Sequence, residues 1–120
     1  PYFESIFKKL RKYINHYIKL NTALNNSLKS LDLAHSIYED GTRIIIKYFS
    51  QKNILSSINI DITSLKSILR DKIKANDFDV ISKLLDEFQT KSYSQLKDDK
   101  GEEKIKKSLK KILKRIDEYV

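Results

Sequence analysis

The chain has 120 residues, enough for one domain with a modest core but not for two. It contains no cysteine, which excludes disulfides and thiolate metal sites, and its two glycines and single proline disfavour a β-rich fold. Its 24 basic and 16 acidic residues give a net charge of +8, which favours an anionic partner, although a strong excess of Lys over Arg is also expected from an AT-rich coding sequence.

A long first helix is predicted from about Tyr2 to Tyr38, and Asp40-Gly41 is expected to end it because glycine tolerates the left-handed conformation that follows many helices. Asn21 and His35 occupy two positions of its seam, and a polar seam residue can fix the register of a coiled coil, so an oligomerisation role stays open. The apolar seam residues recur at steps of four and three: Phe3, Phe7, Leu10, Ile14, Tyr17, Leu24, Leu28, Leu31 and Tyr38.

Shorter helices are predicted for the rest of the chain. Thr42 is expected to cap a second helix whose apolar run 44–49 indicates a central, buried element. A third helix begins at Asp61 or Thr63 and closes at residues 75–77. The fourth and fifth helices are expected to start after an N-cap at Asp77 and at Glu102, with residues 98–101 interrupting between them.

The predicted fold is therefore a single all-α domain over residues 1–120, a helical bundle of four to five helices with a long first helix. The absence of Met and the start at Pro1-Tyr2-Phe3 suggest a fragment of a longer protein. The longest apolar run, residues 44–46, is far shorter than the roughly 20 residues that a membrane span needs.

Catalysis and metal binding are not expected. His16 and His35 are about 28 Å apart if both lie on one helix, too far to form one site. The acidic pairs Asp98-Asp99 and Glu102-Glu103 are read as solvated helix ends, and the segment that they bound lacks the alternating oxygen ligands of a calcium loop. The sequence thus predicts no enzyme activity, no metal, no cofactor and no small-molecule substrate.

The last predicted helix is basic and amphipathic. Seven Lys or Arg residues between Lys104 and Arg115 occur without one acid, and a smaller basic cluster covers residues 8–12. Such a face can meet nucleic acid, anionic lipid, a sulfated glycan or an acidic protein surface, or it can simply be solvated. Specific nucleic-acid binding is the less favoured alternative, because Arg is scarce.

Arg43 stands apart from the lysines. It follows the expected interhelix corner at Asp40-Gly41, and its guanidinium can make two parallel hydrogen bonds to a carboxylate. An Arg on an exposed corner can enter the acidic specificity pocket of a trypsin-like protease. The alternative is that Arg43 pairs with Asp40 or Glu39 of its own chain.

The segment Ser36-Ile37-Tyr38-Glu39-Asp40-Gly41-Thr42-Arg43 ends the predicted first helix, and shorter helices and a Lys-rich last helix follow it. In a chain without Cys or Trp, this layout resembles the C-terminal domain of borrelial fibronectin-binding surface lipoproteins, over essentially the whole length.

The resemblance implies a non-catalytic domain on the bacterial outer surface, lipid-anchored through an upstream region, that binds and inhibits the initiating serine protease of the classical complement pathway. It implies that Arg43 enters the specificity pocket and that a Lys of the last helix adds a second contact. Fibronectin would bind outside this fragment, and the domain would be a monomer. A complement regulator or a glycosaminoglycan is the alternative host ligand. The candidate lysines are Lys100, Lys104, Lys107 and Lys111.

Overall fold

The computed structural model describes the backbone of residues 2–91 and 99–120, and the side chains of residues 4–14, 22–91 and 99–120. The regular structure within these ranges is α-helical, which confirms the all-α prediction. Across the described stretches, no helix is both long enough and apolar enough to cross a bilayer. The helices in these ranges are α1 (Tyr2–Leu33), α2 (Ile37–Gln51), α3 (Ile62–Lys72), α4 (Ala75–Lys91) and α5 (Asp99–Asp117).

The first helix is shorter than predicted, because it ends at Leu33 and not near Tyr38. Residues 34–36 connect it to α2, where Ser36 adopts an extended backbone with φ −141° and ψ 117°. The break turns the chain so that Ile37 and Tyr38 are both buried in the core at the start of α2. Burial of Ile37 and of the Tyr38 ring favours this break.

Gly41 lies inside α2, so the predicted helix stop at Asp40-Gly41 and the predicted N-cap at Thr42 are both wrong. Gly41 does not have a positive φ. Its role is close packing, since a Cβ added there would lie 2.5 Å from Cε2 of Phe88, a buried residue of α4. The missing side chain therefore lets α2 and α4 approach closely.

The α2 helix is buried on one face only, so the prediction of a central, buried element is wrong in part: Ile44, Ile45, Tyr48 and Phe49 are in the core, whereas Arg43 and Lys47 are exposed. It packs against α1, α4 and α5, and α3 packs on the outer side against α4. The core residues come mainly from one apolar stripe on each of α2, α4 and α5, as amphipathic helices require. The most buried large side chains are Leu31, Ile37, Ile45, Tyr48, Phe49, Leu65, Leu69, Ile81, Leu85, Phe88, Leu109 and Leu113.

The α3 helix begins as predicted, because Asp61 is its N-cap and accepts a hydrogen bond from the Ser64 N–H at 2.7 Å. Two predictions about the next boundary are wrong. Residues 75–77 open α4 and do not close α3, and Asp77 is not an N-cap but a residue of the first turn of α4. Asp77 is 2% exposed, because it is held by side chains from the C-terminal end of the chain.

The α5 helix begins earlier than predicted, at Asp99, so Lys100 and Gly101 are helical and do not interrupt the chain. Asp99 and Glu102 supply acidic side chains in the first turn, where they offset the partial positive charge of the helix N-terminus. The predicted contribution of Leu96 to the core, and any role of Asp98, lie outside the described residues.

A buried polar cluster joins the C-terminal ends of α2 and α5. The Tyr48 hydroxyl donates to Asp117 Oδ1 at 2.6 Å, and Lys52 Nζ contacts the same oxygen at 2.8 Å. The Lys52 and Asp117 side chains are only 4% and 13% exposed. Burial, reinforced by the Asp117 carboxylate, raises the pKa of Tyr48 well above its ordinary value.

A second cluster is centred on Asp77. The Tyr119 hydroxyl donates to Asp77 Oδ2 at 2.6 Å, and Arg115 Nε lies 3.3 Å from Asp77 Oδ1. Tyr119 also accepts a hydrogen bond from the Lys74 N–H at 3.2 Å. Burial and the Asp77 hydrogen bond raise the pKa of Tyr119 to about 12. The residues after α5 are thus attached to the start of α4.

The N-terminal half of α1 departs from the predicted core. The seam residues Phe7, Leu10 and Ile14 are exposed, whereas Leu31, near the end of the same helix, is buried. The molecule measures 65 × 28 × 25 Å, and its long dimension reflects this 32-residue helix. Among the seam side chains that the structure describes on α1, those at positions 7, 10 and 14 are exposed and the buried one, Leu31, lies towards the C-terminal end.

Candidate partner-binding surface

Arg43 lies in the second turn of α2, so the prediction that it projects from an interhelix corner is wrong. The corner is instead at residues 34–36. The Arg43 side chain is 77% exposed, and its Nη2 lies 3.1 Å from Oδ1 of Asp40, one helical turn earlier. The alternative that Arg43 pairs with Asp40 therefore describes its geometry, while most of its guanidinium remains in solvent.

Lys47 follows Arg43 by one helical turn, and the two cations form an exposed ridge on α2. We call Arg43 and Lys47 the α2 ridge. A groove runs along each side of it, and both ridge residues line both grooves. The ridge is therefore the wall that the two grooves share.

The first groove lies between the ridge and the α1–α2 connection. Its lining includes Leu33, Ala34, His35 and the buried face of Ile44. Leu33 is the last residue of α1 and is 80% exposed. This groove thus combines an exposed aliphatic side chain with two cations.

The second groove lies between the ridge and the connection from α2 to α3. Ile46 and Ile58 provide its apolar part, and Ile58 is 66% exposed. Glu39 lines this groove, as Asp40 lines the first one. The two acids balance the charge of the α2 ridge, so the surface is mixed in character and not purely basic.

The exposed apolar residues of this surface were not found from the sequence. Leu33 lies off the apolar seam, which passes through Leu31, and Ile58 lies among Ser57 and Asn59 in a stretch that only breaks the helical pattern. A lone apolar residue in a polar stretch gives no signal by itself, since single exposed apolar residues are common. Only the fold brings them to opposite sides of the α2 ridge.

Seven of the eight basic residues of α5 fall into two sets. Lys106 Nζ donates to the Ala34 carbonyl at 3.3 Å, Lys110 pairs with Asp32 of α1, and Arg115 pairs with the buried Asp77. These three cations hold α5 to the rest of the bundle. They are therefore structural contacts and not parts of a free basic face.

The candidate lysines form the second set. Steps of four, three and four place them in one row on the helix face opposite the buried residues Ile105, Leu109 and Ile112. The acidic Asp99 and Glu103 line a shallow groove together with Lys100, Lys104 and Lys107. Lys100, Lys104, Lys107 and Lys111 are all exposed.

The α1–α2 connection lies beside the α2 ridge and also contacts α5. Ala34 lines the first groove beside Arg43, and its carbonyl accepts the hydrogen bond from Lys106 of α5. Lys106 does not belong to the lysine row, which lies roughly 130° away around the helix. This contact therefore attaches α5 beside the ridge but does not join the lysine row to it.

Ser30, His35 and Asp40 all line the first groove, where Asp40 is paired with Arg43. His35 is exposed beside the first groove, and the side chain of His16 lies outside the described residues. In the part of the chain that the structure describes, no three His, Asp or Glu residues are grouped to hold a metal ion. The side chains at this surface supply charge, hydrogen bonds and apolar contact area.

Comparison with known proteins identifies no relative: no protein-family model, no curated protein and no solved structure matches the chain.

Proposed function

We propose that this chain is a non-catalytic binding domain and that the α2 ridge with its two grooves is its contact surface. The observation that carries the proposal is the arrangement of Leu33 and Ile58, two strongly exposed aliphatic residues on opposite sides of Arg43 and Lys47. Protein interfaces commonly combine an Arg anchor with neighbouring apolar groups that exclude water from it. This surface offers both on a rigid helix.

Arg43 is the proposed anchor. Its ion pair with Asp40 is largely solvated, and such exposed pairs contribute only about 0–1 kcal/mol. A partner carboxylate can therefore replace Asp40 at small cost and accept two parallel hydrogen bonds from the guanidinium. Contact with Leu33 or Ile58 would then shield the new pair from water and strengthen it.

For the partner we propose the initiating serine protease of the classical complement pathway, on the resemblance to borrelial fibronectin-binding lipoproteins. Arg43 would occupy the acidic specificity pocket and block it, and a lysine among Lys100, Lys104, Lys107 and Lys111 would make a second contact. Because Arg43 lies on a helix, the partner must accommodate the sides of α2 and not only a narrow loop. The same resemblance places the monomeric domain on the bacterial outer surface.

The test is a binding measurement with the immobilised chain and the purified protease at physiological salt. Arg43→Ala should weaken binding about 30-fold or more, as expected for an anchor residue. Arg11→Ala is the matched control, because Arg11 is also exposed but lies on α1. Asp40→Asn should preserve or strengthen binding, since it releases the guanidinium.

Circular dichroism must show the same helix content in all variants. Equal loss in the Arg11 and Arg43 variants would mean that net charge, and not an anchor, drives binding. No binding of the unmodified chain would remove the protease as partner. Binding that survives in the Arg43 variant but fails in Leu33→Ser or Ile58→Ser would keep the surface and remove the anchor.

A second candidate function is binding of an anionic polymer, such as a glycosaminoglycan or nucleic acid, through α5. The single exposed row of lysines favours it, because a regular row can follow a regularly charged chain. Such binding should fall steeply between about 50 and 200 mM salt, and the slope should decrease as lysines are replaced by Gln. A salt-independent affinity, or a slope unchanged in Lys104→Gln/Lys107→Gln, would exclude it.

A further inference from the structure

The N-terminal half of α1 carries an apolar face that the bundle does not cover. Over residues 4–14 every described side chain is exposed. Large apolar residues are normally the first to be buried, so a group of them on one exposed helix requires an explanation. Their exposed fractions are Ile6 40%, Phe7 67%, Leu10 53%, Tyr13 76% and Ile14 46%.

These five residues form one stripe. At about 100° per residue they fall within about 120° of the helix circumference, centred on Leu10, with Phe7 and Tyr13 at its two edges. The other residues of the segment take the remaining circumference. Those residues are Glu4, Ser5, Lys8, Lys9, Arg11 and Lys12.

The polar side of this segment is strongly basic, with four cations against the single acid Glu4. Two of the cations border the apolar stripe. Arg11 lies next to the Phe7 edge and Lys9 next to the Tyr13 edge, each about 40° away around the helix. An apolar stripe bordered by cations on both sides is complementary to a surface with an anionic outer layer and an apolar interior.

A second copy of the chain is a poor occupant of the stripe. The stripe has five side chains, whereas a stable interface buries about 800 Å² on each partner and involves about 20–30 residues a side. In a dimer, the same segment of each copy would carry a charge of +3. Self-association would thus bring like charges together around a small contact.

An anionic lipid surface fits both properties. A basic amphipathic helix lies in the plane of the headgroups with its apolar face inserted, and its affinity increases with apolar area and with negative lipid charge. Lys9 and Arg11 can extend to the headgroup phosphates while their methylene chains cover the edges of the stripe. Tyr13, with an apolar ring and a polar hydroxyl, suits the same depth.

We propose that residues 4–14 of α1 bind peripherally to an anionic bilayer, with Phe7, Leu10 and Ile14 inserted and the cations at the headgroups. This interaction uses neither the α2 ridge nor the lysine row of α5. It would orient the domain with the α1 N-terminus at the membrane. It stands or falls independently of the proposed protease binding.

The experiment is flotation of the full chain with vesicles of phosphatidylcholine alone or mixed equally with phosphatidylglycerol. The chain should float with the anionic vesicles and remain unbound with phosphatidylcholine. Phe7→Ser/Leu10→Ser should lower the partition coefficient at least about tenfold, because it removes the centre and one edge of the stripe. The matched control is Val80→Ser, which removes an exposed aliphatic side chain of α4 outside both the segment and the α2 ridge, and it should bind as the unmodified chain does.

A second pair of variants tests the charge. Lys9→Gln/Arg11→Gln should lower binding to anionic vesicles about tenfold or more, whereas Lys107→Gln/Lys111→Gln, with the same loss of charge on α5, should have a much smaller effect. Equal effects of the two pairs would overturn the assignment to α1. So would unchanged binding of Phe7→Ser/Leu10→Ser.

Sedimentation equilibrium tests the alternative that a second copy of the chain binds the stripe. The chain without lipid should remain monomeric at high concentration. A dimer that Phe7→Ser/Leu10→Ser dissociates, together with no flotation, would assign the stripe to a second copy and overturn the lipid proposal. Because the replaced side chains lie outside the core, unchanged helix content is expected for every variant.

Discussion

Gly41→Ala tests whether α2 runs through this position and packs directly on α4. In a helix interior, Ala is more favourable than Gly by about 1 kcal/mol. Here the new Cβ would lie 2.5 Å from Cε2 and 2.6 Å from Cζ of Phe88, and such overpacking costs about 1–3 kcal/mol. We expect a net loss of about 1 kcal/mol in the free energy of unfolding, measured by urea denaturation followed by circular dichroism.

The decisive measurement repeats Gly41→Ala in a Phe88→Leu background. Leu lacks the ring atoms Cε2 and Cζ and reaches only to the Cδ level, where the contact is 2.8 Å, so the clash should weaken and Ala should be less unfavourable or stabilise by up to about 1 kcal/mol. The double-mutant cycle should therefore give a coupling of about 1–3 kcal/mol. If Gly41 instead ended a helix in the left-handed conformation, Ala would be unfavourable in both backgrounds and the coupling would be near zero. That result would refute the close-packing explanation.

Two further outcomes follow from the polar clusters. Asp117→Ala removes the carboxylate that balances the buried Lys52 and accepts a hydrogen bond from Tyr48, so the free energy of unfolding measured in urea should fall by about 3 kcal/mol. Tyr48→Phe removes only the hydrogen bond and should lower it by about 1 kcal/mol. Equal losses in the two variants would contradict this order. The pKa of Tyr119 is 10.0 in the unfolded chain and about 12 in the folded one, so the unfolded chain loses the proton first as the pH rises. The melting temperature should therefore fall between pH 10 and pH 12. Tyr119→Phe should make this fall with pH less steep.

The helical class and the buried faces could be predicted from the sequence because they depend on periodicity. Ile105, Leu109 and Ile112 recur at helical spacing and are buried on α5, and Ile44, Ile45, Tyr48 and Phe49 of the run 44–49 are buried on α2. The boundaries were harder, because local signals compete. Glycine is the residue type that most often follows a helix end. Gly41 nevertheless lies inside α2, where it packs against Phe88, a residue 47 positions away in the sequence.

The missed helix start had a local signal. Ser36 followed three residues later by Glu39 has the sequence spacing of a capping box, and Ser36 is the N-cap of α2, although its side chain makes no capping hydrogen bond. That signal moves the corner to residues 34–36 and places Arg43 on a helix. By contrast, no local pattern shows that Leu33 and Ile58 border Arg43, since their proximity depends on how α1, α2 and the following connection pack.

The same reasoning did not separate the basic residues of α5. Lys106 and Lys107 are adjacent in sequence, yet one donates to the Ala34 carbonyl and the other is exposed. Which lysines make contacts within the chain depends on where the end of α1 lies beside α5, and the periodicity of α5 does not predict that position. The sequence thus predicts a basic helix but not which charges a partner can reach.

The two ends of the chain differ in how firmly they are held. Residues 117–120 contain the acceptor for Tyr48 and Lys52 and the hydroxyl that reaches Asp77, whereas residues 4–14 add no buried side chain. Amide hydrogens should therefore exchange rapidly in the first turns of α1 and slowly in α5. A protein engineer would accordingly attach a fluorophore or fusion partner before α1, because an extension after Val120 would adjoin the contacts that fasten α5.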